Sequence, residues 1–108
     1  MFGLVVRFDL EDGAHEEFDA LVAETVRLIK QREPGTLIYT CHAVQDASAR
    51  IFYELYLDRD AFDEHERQAH VRRFLDGREQ YLASPPRVEF LDLQVGKGVP
   101  EPAARRDH

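Results

Sequence analysis

The feature that most limits this chain is the order in which two hydrophobic periodicities alternate along it. Phe2, Leu4, Val6, Phe8 and Leu10 recur at every second residue, with Gly3, Val5, Arg7 and Asp9 between them, which is the repeat of a strand. Phe18, Leu21, Val22, Thr25, Leu28 and Ile29 then fall on one helical stripe. Glu16, Glu17 and Asp19 lead that stripe and Arg27, Lys30 and Arg32 trail it, as the helix dipole favours. Asp12 or Gly13 is placed to cap this helix and Pro34-Gly35 to end it. Segments 36–44 and 50–57 are rich in aromatic and β-branched residues and flank a short polar connection, so they read as a hairpin. Asp60 is placed to cap helical residues 61–68, and a further helical stretch covers roughly 69–82. Ser84-Pro85-Pro86 breaks it before a last strand over 88–95. The order β-α-β-β-α-β predicts an α+β, ferredoxin-like fold, an antiparallel sheet with helices on one face.

Both faces of that sheet carry apolar residues. In the second strand Leu37, Tyr39, Cys41 and Ala43 alternate with Ile38, Thr40, His42 and Val44, and in the third Ile51, Tyr53, Leu55 and Leu57 alternate with Phe52, Glu54 and Tyr56. In the fourth, Glu89, Leu91, Leu93 and Val95 alternate with Val88, Phe90, Asp92 and Gln94. Two helical regions cover only one face, and apolar surface on the other calls for a second cover. The simplest cover is a second copy, which predicts a homodimer packed sheet to sheet. With 108 residues the chain fits one domain. Beyond Val95 the sequence carries two glycines, two prolines and scattered charges without periodicity, so the expected division is a domain over 1–97 and a flexible tail over 98–108.

Charge and composition remove several function classes. The net charge of −7 argues against a nucleic-acid binder and against attraction to anionic lipid. The single cysteine excludes an internal disulfide framework, and Cys41 within a strand reads as a small buried apolar residue. The start MFGLVVRFDL lacks the basic and apolar regions of a signal peptide, and no apolar run approaches the roughly 20 residues that span a bilayer. The expectation is a cytoplasmic protein with neither nucleic-acid nor membrane partners. The glycines are dispersed, so phosphate-loop and dinucleotide fingerprints are absent.

Residues 52–74, FYELYLDRDAFDEHERQAHVRRF, hold the densest set of functional groups. HERQAH has a superficial likeness to the zinc motif HExxH, but His65 and His70 are five residues apart. That spacing leaves the rings roughly 140° apart on a continuous helix, so the motif fails and no metal site is expected. A helix break between them would bring both rings to one pocket, as a different kind of site. Imidazole titrates near neutral pH, which makes His65 and His70 the candidate acid/base groups.

Segments EPGTLIYTCH (33–42) and 52–74 resemble the antibiotic biosynthesis monooxygenase family of dimeric α+β barrels. The likeness lies in Pro34, Gly35 and Tyr39 opening the second strand, then Tyr53, Glu54 and Tyr56, then Phe62 and His65, and finally His70 before Phe74. It covers about residues 2–96. The resemblance implies an enzyme that oxidises a small aromatic, phenolic or quinol-type compound with no cofactor, in a pocket between helices and sheet. It implies an electron-rich anionic substrate that reduces dioxygen directly, while the protein accepts a proton, holds the ring and excludes water. His65, His70 and Tyr56 are then the candidate catalytic residues, and Tyr39, Phe52, Glu54, Phe62, Arg73 (with Arg72 beside it) and Phe74 the candidate substrate-binding ones. Where relatives of this type place Asn and Trp in the third strand, the matching positions are Phe52 and Tyr56, which removes a polar partner for a substrate oxygen. Two alternatives stand beside this reading: a non-catalytic dimeric module for binding small molecules or responding to stress, and a haem-binding or haem-degrading protein.

Overall fold

A computed structural model describes residues 1–100. The elements run β1 (Phe2–Asp9), α1 (His15–Arg32), β2 (Thr36–Ala43), β3 (Ala49–Tyr56), α2 (Arg59–Arg67), α3 (Ala69–Gly77), a 3₁₀ turn (Arg78–Tyr81) and β4 (Arg87–Asp92). The strands form one antiparallel sheet in the order β2-β3-β1-β4, the ferredoxin-like arrangement that the alternating periodicities predict. Most of the tail expected over 98–108 lies outside the described residues.

The inner face of the sheet is set by strand register. Glu54 on β3 stands between Leu4 of β1 and Tyr39 of β2, and Phe52 between Val6 and Cys41. The helices close over this face. Phe18 of α1 and Phe74 of α3 meet Phe8 and Phe52 in a buried aromatic cluster, with Phe8 edge-on to Phe52 at 5.0 Å between centroids. A bidentate ion pair, Arg50 Nε and Nη2 each 2.9 Å from the Asp19 carboxylate, ties α1 to the hairpin end of β3.

Several local expectations shift. Asp58, not Asp60, caps α2, its Oδ1 accepting from the Ala61 N–H at 2.8 Å. The first helix starts without a side-chain cap; the turn at Gly13, with φ 77°, delivers the chain to it instead. The two helical stretches expected after Asp58 do divide at Gln68, whose extended backbone (φ −69°, ψ 140°) ends α2 and opens α3, but the second ends at Gly77 and gives way to a 3₁₀ turn rather than running to 82. The last strand ends at Asp92, and every residue of β4 is exposed, with the Phe62 ring of α2 meeting Phe90 edge-on at 6.2 Å between centroids.

The outer face presents Ile38, Thr40, His42, Ile51, Tyr53, Val5, Arg7, Arg87, Glu89 and Leu91, as register dictates. Polar and apolar residues alternate there, and among the described residues no helix or strand covers them. Among the described residues no helix is long and apolar enough to cross a membrane.

Candidate active site

The most constrained polar group is the carboxylate of Glu33. It stands at the C-cap of α1, immediately before Pro34-Gly35, and its side chain is 2% exposed. Three side chains pair with it. Thr36 Oγ1 donates to Oε1 at 2.7 Å, the His65 Nδ1–H lies 2.6 Å from the same oxygen, and His70 Nε2 lies 2.5 Å from Oε2. The break at Gln68 makes this possible, since it turns α3 relative to α2 until both rings face one carboxylate. Burial works to raise the Glu33 pKa, but the bonds from His65 and Thr36 outweigh it and hold the carboxyl below its usual range. Gly35 allows the close approach: a Cβ there would lie 2.8 Å from Ala61 Cβ, so any larger residue would push α2 away.

A cavity of about 290 Å³ lies between the inner sheet face and α2 and α3. Its apolar wall includes Leu4, Val6, Phe8, Phe62, Phe74 and Val88, and its polar groups are Tyr39, Glu54, His65, Glu66 and Arg78. Val88 and Phe90 on the edge strand are 46% and 62% exposed, which places the mouth at β4. An apolar cavity of about 150 Å³ suffices for benzene, so this one accommodates roughly two rings.

Glu54 is the second buried carboxyl. Burial is the main influence on it and raises its pKa, against the opposing hydrogen bond from Tyr56, whose hydroxyl donates to Oε1 at 2.6 Å. The Tyr56 and Tyr39 phenols are both driven well above their ordinary pKa, first by burial and then by the nearby Glu54, so both are neutral donors. Burial likewise pushes the Cys41 thiol up to about 11, which leaves it unreactive. Opposite these groups the Arg78 guanidinium stacks 5.2 Å from the Phe8 ring centroid and 5.8 Å from that of Phe74, and its buried Nε has no protein partner.

Five of the nine sequence-predicted residues line the cavity: His65, Tyr39, Glu54, Phe62 and Phe74. Tyr56 is fully buried and does not line the cavity, its hydroxyl on Glu54 and its ring packed against His65 and Phe62. Phe52 belongs to the aromatic core, and His70 is sealed behind Glu33. Arg72 and Arg73 are exposed on α3 and do not line the cavity; the cavity's arginine is Arg78. Val71, Phe74, Leu75 and Arg78 share a helical stripe that Arg72 and Arg73 do not, and this spacing was the available signal. Glu33 was missed as a site residue although an acid at a helix C-terminus opposes the dipole. Among the described residues no group of three or more His, Cys, Asp or Glu stands where it could hold a metal ion.

Comparison with known proteins fits this architecture. The family model for antibiotic biosynthesis monooxygenase matches residues 1–77. The chain belongs to that family. Among solved structures it is similar to a Caulobacter crescentus protein described as a candidate antibiotic biosynthesis monooxygenase, with a TM-score of 0.81 and 22% identity over 87% of this chain and 90% of that one. It is also similar to Rv0793 of Mycobacterium tuberculosis, with a TM-score of 0.80 and 21% identity over 91% and 98% of the two chains. A conserved protein of Methanosarcina mazei Go1 shares the fold at 15% identity, with a TM-score of 0.79 over 86% and 92%. These identities are low enough that the likeness carries the fold alone. No curated protein matches the chain.

The two carboxyls predict opposite pH dependences. Glu33, with a lowered folded pKa, contributes stability that is present above its unfolded value near 4.5 and lost as pH falls through the folded one. Glu54, with a raised folded pKa, contributes stability that is present below about 4.5 and lost as pH rises through its folded value. Glu54→Gln, which keeps an acceptor for Tyr56, should therefore gain stability relative to wild type between pH 4 and pH 8 in urea unfolding. A constant difference across that range would contradict the burial argument.

Proposed function

We propose that this antibiotic biosynthesis monooxygenase family member is a cofactor-independent monooxygenase acting on a one- or two-ring phenol or quinol. The observation that carries this reading is the convergence of an imidazole (His65), a fixed cation (Arg78) and a neutral phenol (Tyr39) on one small cavity with an apolar wall. In this reading His65 takes the proton of a ring hydroxyl, and Arg78 holds the resulting oxyanion against the cavity wall. The electron-rich ring then reduces dioxygen directly, with Phe62 and Phe74 holding its faces and the apolar lining excluding water. One oxygen atom enters the ring carbon and the other leaves as water, the substrate itself supplying the electrons.

Haem binding is the weaker reading, because His70 spends Nε2 on Glu33 and its Nδ1 is buried. A small-molecule-binding module without chemistry would use the same lining. Oxygen uptake with a panel of one- and two-ring hydroquinones separates the two. The enzyme reading predicts uptake in the wild type and a loss of roughly 10²–10⁴-fold in His65→Ala. Binding of the ring compounds without any oxygen uptake would favour the module, and uptake unchanged by His65→Ala would reject the role given to His65.

The same proposal includes a homodimer packed through the outer sheet face, supported by the half-buried Val5, Ile51 and Tyr53 and the exposed Leu91 on that face. Light scattering at micromolar concentration should return twice the 12.5 kDa chain mass. A monomer mass would overturn it.

A further inference from the structure

We infer that Glu33 is a positioning residue that locks the two histidines in opposite tautomers, leaving His65 as the cavity's base and His70 as a brace. This rests on the reading of the cavity as a reaction site. An ionised carboxylate only accepts hydrogen bonds, so each imidazole nitrogen facing it must carry a proton. His65 presents Nδ1 to Oε1 and His70 presents Nε2 to Oε2. In the neutral rings the lone pair is therefore on Nε2 of His65 and on Nδ1 of His70. The two lone pairs have different fates. His65 lines the cavity and the structure gives its Nε2 no protein partner, whereas His70 Nδ1 is buried with no partner and no opening.

His65 can therefore take a proton from a ligand O–H: that bond breaks, its electrons remain on oxygen, and a new N–H forms on Nε2. The imidazolium so formed is stabilised by Glu33 through Nδ1–H, the arrangement by which a carboxylate orients a catalytic imidazole elsewhere. His70 has no such role, because a second proton would sit on a sealed nitrogen with nothing to accept its hydrogen bond. The ionisable groups facing His65 are Glu33 from the end of α1, Tyr39 from β2, and Glu54 and Tyr56 from β3.

Glu33→Gln tests this, because an amide offers one acceptor and one donor where the carboxylate offered two acceptors. One ring must then turn its lone pair to the amide N–H. Flipping His70 would bury an unpaired donor, whereas flipping His65 only places an N–H in the cavity, so His65 is the ring that changes. Long-range ¹H–¹⁵N correlation at pH 8 reads each imidazole nitrogen directly. The wild type should show His65 protonated on Nδ1 alone and His70 on Nε2 alone. Glu33→Gln should reverse His65 and leave His70 as it was, and His70→Gln, which keeps an N–H in place of Nε2, should leave the His65 signals unchanged. A wild-type His65 protonated on Nε2, or an unchanged His65 in Glu33→Gln, would overturn the assignment. The wild-type spectrum alone decides if the variant does not fold. Absence of oxygen uptake would reject the proposed reaction and leave these nitrogen signals as they are.

Discussion

A carboxylate buried to the degree of Glu33 is tolerable only when its oxygens are satisfied, since an unpaired charge in the interior costs several kcal/mol. Much of this architecture can be traced to that requirement. The partners come from three separate parts of the chain: Thr36 at the start of β2, His65 on α2 and His70 on α3. Meeting one carboxylate fixes where α1 ends, how β2 departs, and the angle at which the second helical region is broken. Gly35 gives the clearance for that meeting. The cavity lies where α2 and α3, held at this point, cross the sheet toward β4, its lining drawn from Phe62, Phe74 and Leu75 on one side and Val88 and Phe90 on the other.

The site then contains two buried carboxyls whose surroundings push them apart. Glu33 receives three donors and stays ionised; Glu54 receives one, from Tyr56, and burial moves it toward the neutral form. A site built this way holds one anion behind an imidazole and, in the cavity wall, one carboxyl whose pKa burial raises, the kind of separation that assigns acid and base roles in enzymes. Arg78, its Nε unpaired and its plane against two aromatic rings, adds the positive charge that an oxyanion would meet.

Most of the fold was legible because strands and helices announce themselves by period. Phe2 to Leu10 could be nothing but a strand with one buried side, and the stripe from Phe18 to Ile29 nothing but a helix facing it. The site was legible only in part. His65, Tyr39, Glu54, Phe62 and Phe74 were found from residue type and from the family resemblance, and these do line the cavity. Phe52, Tyr56 and His70 share the same faces, but lie one layer deeper, a depth that periodicity does not encode. Arg72 and Arg73 adjoin the motif but lie on the exposed side of α3, whereas the helical stripe of Val71, Phe74 and Leu75 leads to Arg78. The Glu33 cluster depends mainly on tertiary structure: Thr36 is local, but the two histidines lie 32 and 37 residues away, and only the unfavourable sign of Glu33 at the end of a helix hints at a special environment.

If the Glu33 cluster organises the site, its members must stabilise the protein together rather than independently. A double-mutant cycle with Glu33→Gln, His65→Leu and the double variant, each measured by urea unfolding at pH 7, reads that coupling directly. The account predicts an interaction energy of about 1–3 kcal/mol between the two positions. Additive effects, with a coupling near zero, would contradict it.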